Sequence, residues 1–190
     1  QAAPLAGYLS DKSKYIGFDI VPDLINWCTD NISSRYPNFH FQLADVYNKQ
    51  YNPKGRYKAS EYRFPYDNDS FDFVILGSVF THMLPPDMEN YLKEIARVLR
   101  SKGNSYITYF LLNGNTIPLI DSGSAALNFT HQFGIFRSIS PDTPEAGLAY
   151  DEAFILGLYG KYGLDINKTI YGTWSKSKVQ HQDIIIATKK

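Results

Sequence analysis

A chain of 190 residues is ample for one domain and short for two ordinary ones, so a single core is expected, with 44% hydrophobic and 15% aromatic residues to fill it. The 19 basic and 19 acidic side chains give zero formal charge, which argues against a nucleic-acid backbone or an anionic membrane surface as a partner. Cys28 is the only cysteine, so an internal disulfide is excluded, and no apolar run approaches the ~20 residues of a transmembrane helix; a cytoplasmic protein is the simplest expectation.

Ala2–Leu9 reads as part of a helix, and after the polar turn Asp11-Lys12-Ser13-Lys14 the run Tyr15–Ile20 (YIGFDI) has the composition of a short strand. Asp19 falls near the C-terminal end of that strand. A carboxylate there, at the mouth of a parallel sheet, can accept hydrogen bonds from both hydroxyls of a ribose; a charge at a helix N-terminus is the competing role. Pro22 suits a first helical turn, and the apolar positions from Leu24 to Tyr36 carry a helix that Pro37 closes. Phe39–Leu43 (FHFQL) is the next strand, with Ala44-Asp45-Val46 at its end. One aspartate after a strand usually caps a turn, but two at the same edge of successive strands form a pattern. Tyr47–Tyr62 is polar and aperiodic and is expected as loop, packed down by its four tyrosines.

Phe71–Leu76 (FDFVIL), bracketed by turn residues, is expected as a strand buried on both faces of a parallel sheet. Pro85-Pro86 then resets the chain, and Met88–Leu99 places Tyr91, Leu92, Ile95, Val98 and Leu99 three and four apart, the stripe of a helix. Arg97 and Arg100 suit its C-terminal end, Gly103 its left-handed stop, and Ser105–Leu112 a returning strand. In such a βαβ unit ligands sit beyond the C-terminal strand ends, here at Gly77–Met83. Asn113–Tyr150, rich in glycine and proline, is too long for a plain connection and is expected as a lid or acceptor-selecting insertion. Within it Phe129, Phe133, Phe136 and Tyr150 form either an apolar wall at a site or ordinary core. Ala153–Tyr162 is a helix ended by Gly163, and Lys168–Trp174 and Asp183–Thr188 form an antiparallel hairpin joined by the polar SKSKVQHQ. The class is therefore α/β with a mostly parallel sheet.

Asp19 after one strand, Asp45 after the next and Gly77–Met83 after a third, followed by ENYLKEIARVLRSKG, together resemble the class I S-adenosylmethionine-dependent methyltransferases. The phrase FPYDNDSFDFVILGSVFTHMLPPDMENYLKEIARVLRSKG is similar to that family's fourth-strand block. The likeness covers roughly Ala2–Leu112, and the C-terminal hairpin by topology alone. It implies a doubly wound, Rossmann-like methyltransferase sheet in one domain over 1–190, S-adenosylmethionine as cofactor, and methyl transfer to a small-molecule or sugar-like acceptor. It also implies that Asp19, with Ile20 beside it, binds the ribose, that Asp45 and the Val46 amide meet the adenine edge, and that Gly77, Ser78 and Val79, with His82 behind them, hold the methionine end. The family's glycine-rich loop would lie ahead of a helix like Ala2–Leu9, upstream of Gln1, so the sheet is expected without its first strand.

Methyl transfer from a sulfonium needs no dedicated base; if the acceptor is a hydroxyl, His82 is the candidate to take its proton, packing beneath the cofactor being its other role. His40, His131 and His181 show no ligand spacing with one another or with Cys28, so no metal site is expected. Two other classes stay open. A nicotinamide-dependent dehydrogenase also places an acidic residue after its second strand, but without Asp45 and the Gly77–Met83 phrase. A non-catalytic binding protein that keeps the fold is the other. A small-molecule acceptor, with neither nucleic acid nor membrane as partner, is the expectation, and the oligomeric state is not legible in the sequence.

Overall fold

The structure is a computed structural model that describes residues 2–49, 51–177, 179 and 181–190; Gln1, Gln50, and Lys178 and Gln180 of the SKSKVQHQ connection lie outside the described residues. The chain divides into two compact units, Gln1–Tyr62 and Arg63–Lys190.

In the first unit, α1 (Ala2–Ala6) is followed by β1 (Tyr15–Asp19), α2 (Pro22–Cys28) and β2 (Phe39–Leu43). β1 and β2 pair in parallel, Tyr15 opposite Phe39 and Asp19 opposite Leu43, so both strands end at one edge. Phe39 is fully buried, stacked on Tyr15 with ring centroids 4.8 Å apart, and packs with Ala2, Ala6 and Ile32. α2 begins on Pro22 as expected but stops at Cys28 and continues as a π-helical turn, Thr29–Ser33. None of the α2 residues is buried.

The second unit opens with β3 (Phe71–Leu76), α3 (Pro85–Val98) and β4 (Leu99–Tyr109). Pro85 and Pro86 occupy the first helical turn, where their missing N–H groups cost nothing, and Met88, Tyr91, Leu92, Ile95 and Val98 form the buried stripe. β4 alternates: Ser105, Ile107 and Tyr109 are buried, while Tyr106 and Thr108 on the other face are half-buried. The later elements are β5 (Leu111–Leu112), α4 (Ile117–Asp121), β6 (His131–Gln132), β7 (Phe136–Ser138), β8 (Leu148–Asp151), α5 (Glu152–Lys161), β9 (Leu164–Ile170) and β10 (Asp183–Lys189). They complete two four-stranded sheets, in the orders β3-β4-β10-β9 and β5-β8-β7-β6. β3 runs parallel to β4, and β10 is antiparallel to both β4 and β9, which makes the C-terminal hairpin.

Several expectations are corrected here. β3 has its expected bounds but is not buried on both faces: it stands at the end of its sheet, and Phe73 is 51% exposed. Gly103 does not stop a helix in the left-handed conformation. α3 ends at Val98, the positive φ (68°) belongs to Lys102, and Gly103 lies inside β4. A Cβ on Gly103 would come within 2.9 Å of the Arg100 carbonyl oxygen and 3.1 Å of that of Phe71, so close backbone approach selects the glycine. Arg100 lies in β4 and pairs with Asp72 instead of serving a helix end. The last hairpin begins at Leu164, not Lys168, because Gly163 (φ 69°) lets the chain leave α5 directly into β9. In the 113–150 segment Phe129, Phe136 and Tyr150 are buried core. Phe133 is half-exposed and stacks on Phe136 with centroids 5.1 Å apart.

Candidate functional site

The first unit brings Asp19 and Asp45 to one edge, because parallel strands of matched register end together. The Ala44 N–H donates to the Asp19 carbonyl at 2.9 Å, which fixes the start of the Asp45 loop against the end of β1. Oδ1 of Asp19 accepts the Val21 N–H at 3.0 Å, so the carboxylate is oriented by the turn that carries Ile20 into α2. Asp45 is gripped from its own loop. Its Oδ1 accepts the Arg56 backbone N–H at 3.1 Å and its Oδ2 the Arg56 Nε–H, and these bonds hold the carboxyl below the usual carboxylate range. The group therefore stays an acceptor. Val46 is buried, and the bridge it makes with Tyr57 uses the Tyr57 N–H to the Asp45 carbonyl and the Tyr47 N–H to the Tyr57 carbonyl, not the Val46 N–H. Gly55 passes so close that a Cβ there would lie 2.4 Å from the Val46 carbonyl.

The second unit carries Gly77, Ser78, Val79 and His82 in the turn that leaves β3. Ser78 adopts φ 59°, a left-handed conformation that a side chain disfavours. Its N–H donates to Thr108 Oγ1 at 2.8 Å and its hydroxyl to Gln182 Oε1 at 3.1 Å. Phe80–His82 then form one 3-10 turn. His82 Nδ1 lies 2.9 Å from the Glu145 carbonyl oxygen; since a carbonyl only accepts, Nδ1 carries the proton and Nε2 is the basic atom of the ring. The Tyr150 hydroxyl donates to the Met83 carbonyl, so two contacts tie the 113–150 segment to this turn. An open pocket of about 320 Å³ is lined by Ser78, Tyr106, Thr108, His181, Gln182 and Ile184.

Arg56, Thr108 and Gln182 were not legible as site residues. Arg56 sits in an aperiodic loop eleven residues from Asp45, and Thr108 and Gln182 lie 30 and 104 residues from Ser78. Cys28, at the end of α2, has its thiol pushed up by burial, which disfavours the nucleophilic thiolate. Among the described residues no group of three or more His, Cys, Asp or Glu is placed to hold a metal ion, and no helix is long and apolar enough to cross a membrane.

A parallel βαβ unit with acidic residues at its strand ends is an arrangement found in α/β proteins that bind nucleotide cofactors. The model of the methyltransferase domain matches residues 1–107, more than half of the chain, and the chain belongs to that family. It is an S-adenosylmethionine-dependent methyltransferase of Rossmann-like fold. Among solved structures it is similar to an S-adenosylmethionine-dependent methyltransferase from Methanosarcina mazei (19% identity, TM-score 0.64, covering 99% of this chain and 86% of that one). It is also similar to magnesium protoporphyrin IX methyltransferase from Synechocystis PCC 6803 with bound S-adenosylhomocysteine (15%, TM-score 0.62, 98% and 68%). The [4+2]-cyclase SpnF shares the fold too (14%, TM-score 0.61, 99% and 70%). At such identities the structural likeness carries the fold, not the acceptor.

The residues present fit the cofactor. Carboxylates suit its hydroxyl and amine donors, and the two bonds from Arg56 favour the ionised form of Asp45.

Proposed function

We propose that this chain transfers a methyl group from S-adenosylmethionine to a small, polar, hydroxyl-bearing acceptor, in the cytoplasm and without nucleic acid or membrane as partner. The observation that carries the reading is the placement of two oriented carboxylates, Asp19 and Asp45, at one edge of the β1–β2 pair. Asp19, with Ile20 beside it, accepts from the ribose hydroxyls, and Asp45 with the Val46 N–H meets the adenine edge. Gly77, Ser78 and Val79 receive the methionine end. When bound, the sulfonium supplies an activated methyl group, and the chain's task is to orient the acceptor and exclude water. His82 takes the acceptor's hydroxyl proton at Nε2, with Nδ1–H anchored on the Glu145 carbonyl. The 113–150 segment, tied to the same turn through Glu145 and Tyr150, selects the acceptor, with half-exposed Phe133 as its apolar contact. Zero formal charge and a single cysteine support a small neutral or polar acceptor and a reducing compartment.

Two measurements test this. Calorimetric titration of the full chain with S-adenosylhomocysteine should show a larger loss for Asp19→Ala than for Asp45→Ala, because a carboxylate accepting two hydroxyl bonds loses about 1.5–3 kcal/mol for each, whereas Asp45 shares its work with an amide. Equal or reversed losses contradict the assignment. Incubation with S-adenosylmethionine and a panel of hydroxylated small molecules should yield S-adenosylhomocysteine above background for at least one. Cofactor binding with no turnover across the panel would favour the fold retained for binding alone.

A further inference from the structure

We propose that Thr108 and Gln182 are positioning residues of the cofactor site. Together they latch Ser78 in its left-handed conformation and so set the Gly77–Val79 turn, which, in the reading above on which this rests, receives the methionine end of the cofactor. Serine has no intrinsic preference for φ 59°, since its Cβ crowds the following carbonyl, and such a residue persists where its surroundings over-determine it. Here they do so from β4 and from the residue ahead of β10. Thr108, on the half-buried face of β4, accepts the Ser78 N–H at 2.8 Å, and Gln182, immediately before β10, accepts the Ser78 hydroxyl at 3.1 Å. The Gln182 backbone is closely packed. Gly172 lies so close that a Cβ there would be 2.0 Å from the His181 carbonyl oxygen and 2.6 Å from the Gln182 carbonyl, and the Gly172 N–H donates to Asp183 Oδ1 at 2.7 Å. Ser78, Thr108 and Gln182 also share the lining of the 320 Å³ pocket, so the latch sits on an accessible wall.

The test uses S-adenosylhomocysteine as probe on the full chain. Thr108→Val and Gln182→Leu should each weaken binding by about three- to tenfold, the range of one net hydrogen bond, with little change in melting temperature. In Thr108→Val the Ser78 amide should also exchange its hydrogen faster. The decisive variant is Ser78→Gly, because glycine adopts positive φ without a latch. Added to Thr108→Val, it should restore affinity to within about twofold of Ser78→Gly alone, a rescue that a merely structural Thr108 would not show. Unchanged affinity in both single variants, or failure of glycine to restore it, overturns the proposal. Amide chemical shifts followed during the titration separate this from the parent reading. If Gly77–Val79 respond while Thr108→Val binds normally, the site stands and the latch falls; if Gly77–Val79 do not respond, the site reading fails and the latch with it.

Discussion

Arg56 reaches Asp45 with two donors at once, its backbone N–H on Oδ1 and its side-chain Nε–H on Oδ2. Both bonds favour the ionised carboxylate, so Asp45 protonates below its ordinary range in the folded chain. A group whose folded pKa is depressed contributes above its unfolded value, about 3.9, and loses that contribution as pH falls through the folded value. We therefore expect the share of S-adenosylhomocysteine affinity owed to Asp45 to stay flat from pH 7 down to about 5. In Arg56→Met the acid limb should move to higher pH. Titrations at stepped pH check this; an acid limb unmoved by the substitution would show that Arg56 does not govern the carboxylate.

Gly55 supports the same loop by omission. A Cβ at this position would meet the backbone of Val46 and Tyr47 at 2.4 Å, and backbone cannot swing aside as a flexible side chain does. Gly55→Ala should cost about 1–3 kcal/mol in urea denaturation, as forced overpacking does, and should weaken cofactor binding by displacing the Val46 N–H. Gly123→Ala, whose Cβ meets nothing but whose φ is 72°, should lose stability without losing affinity.

Buried Glu94 and half-buried Arg97 form an ion pair on α3, 2.6 Å apart, and the pair also holds the chain ahead of β3. Glu94 accepts the Phe64 N–H at 2.8 Å, and Arg97 donates to the carbonyls of Phe64 and Tyr66 and to Asn68 Oδ1. Burial pushes the Glu94 carboxyl up, but the hydrogen bonds from Arg97 and Phe64 and the guanidinium charge bring it below its ordinary value. Arg97→Met leaves that carboxylate buried without its partner and should cost about 3–5 kcal/mol at pH 8. With Arg97 gone, burial is opposed only by the Phe64 N–H and the charge of Arg63, so the folded pKa should rise above its ordinary value, and stability is then fullest below the unfolded value and lost as pH rises through the folded one. The gap to wild type should therefore narrow on going from pH 8 to pH 5. A gap constant with pH would refute the account.

Asp183 is a buried carboxylate at the start of β10 that accepts three N–H donors: Leu111 at 2.8 Å, Trp174 Nε1 at 2.7 Å and Gly172 at 2.7 Å. Burial raises its carboxyl even against those bonds. Asp183→Asn turns an NH2 group toward a donor that needs an acceptor. We expect a loss of about 2–3 kcal/mol, the cost of a buried group left unsatisfied, read by urea denaturation followed by circular dichroism. Retained stability would mean that the surrounding turn rearranges freely.

The bounds of β2 and β3, the stripe of α3 and the two aspartates at strand ends were legible in the sequence, because composition and periodicity report which face a residue shows and where an element must stop. So was the family, since its phrase from Phe64 to Gly103 is continuous in the chain. What the tertiary structure decided is partnership at a distance. Nothing local says that Arg56 folds back on Asp45, that Ser78 is held by Thr108 and Gln182, or that β3 stands at the end of its sheet. Gly103 shows the boundary most plainly. A glycine after a helix reads as a left-handed stop, yet this one sits where the Arg100 carbonyl of its own strand and the Phe71 carbonyl of β3 converge, and the second of these arrives only through the pairing of β3 with β4.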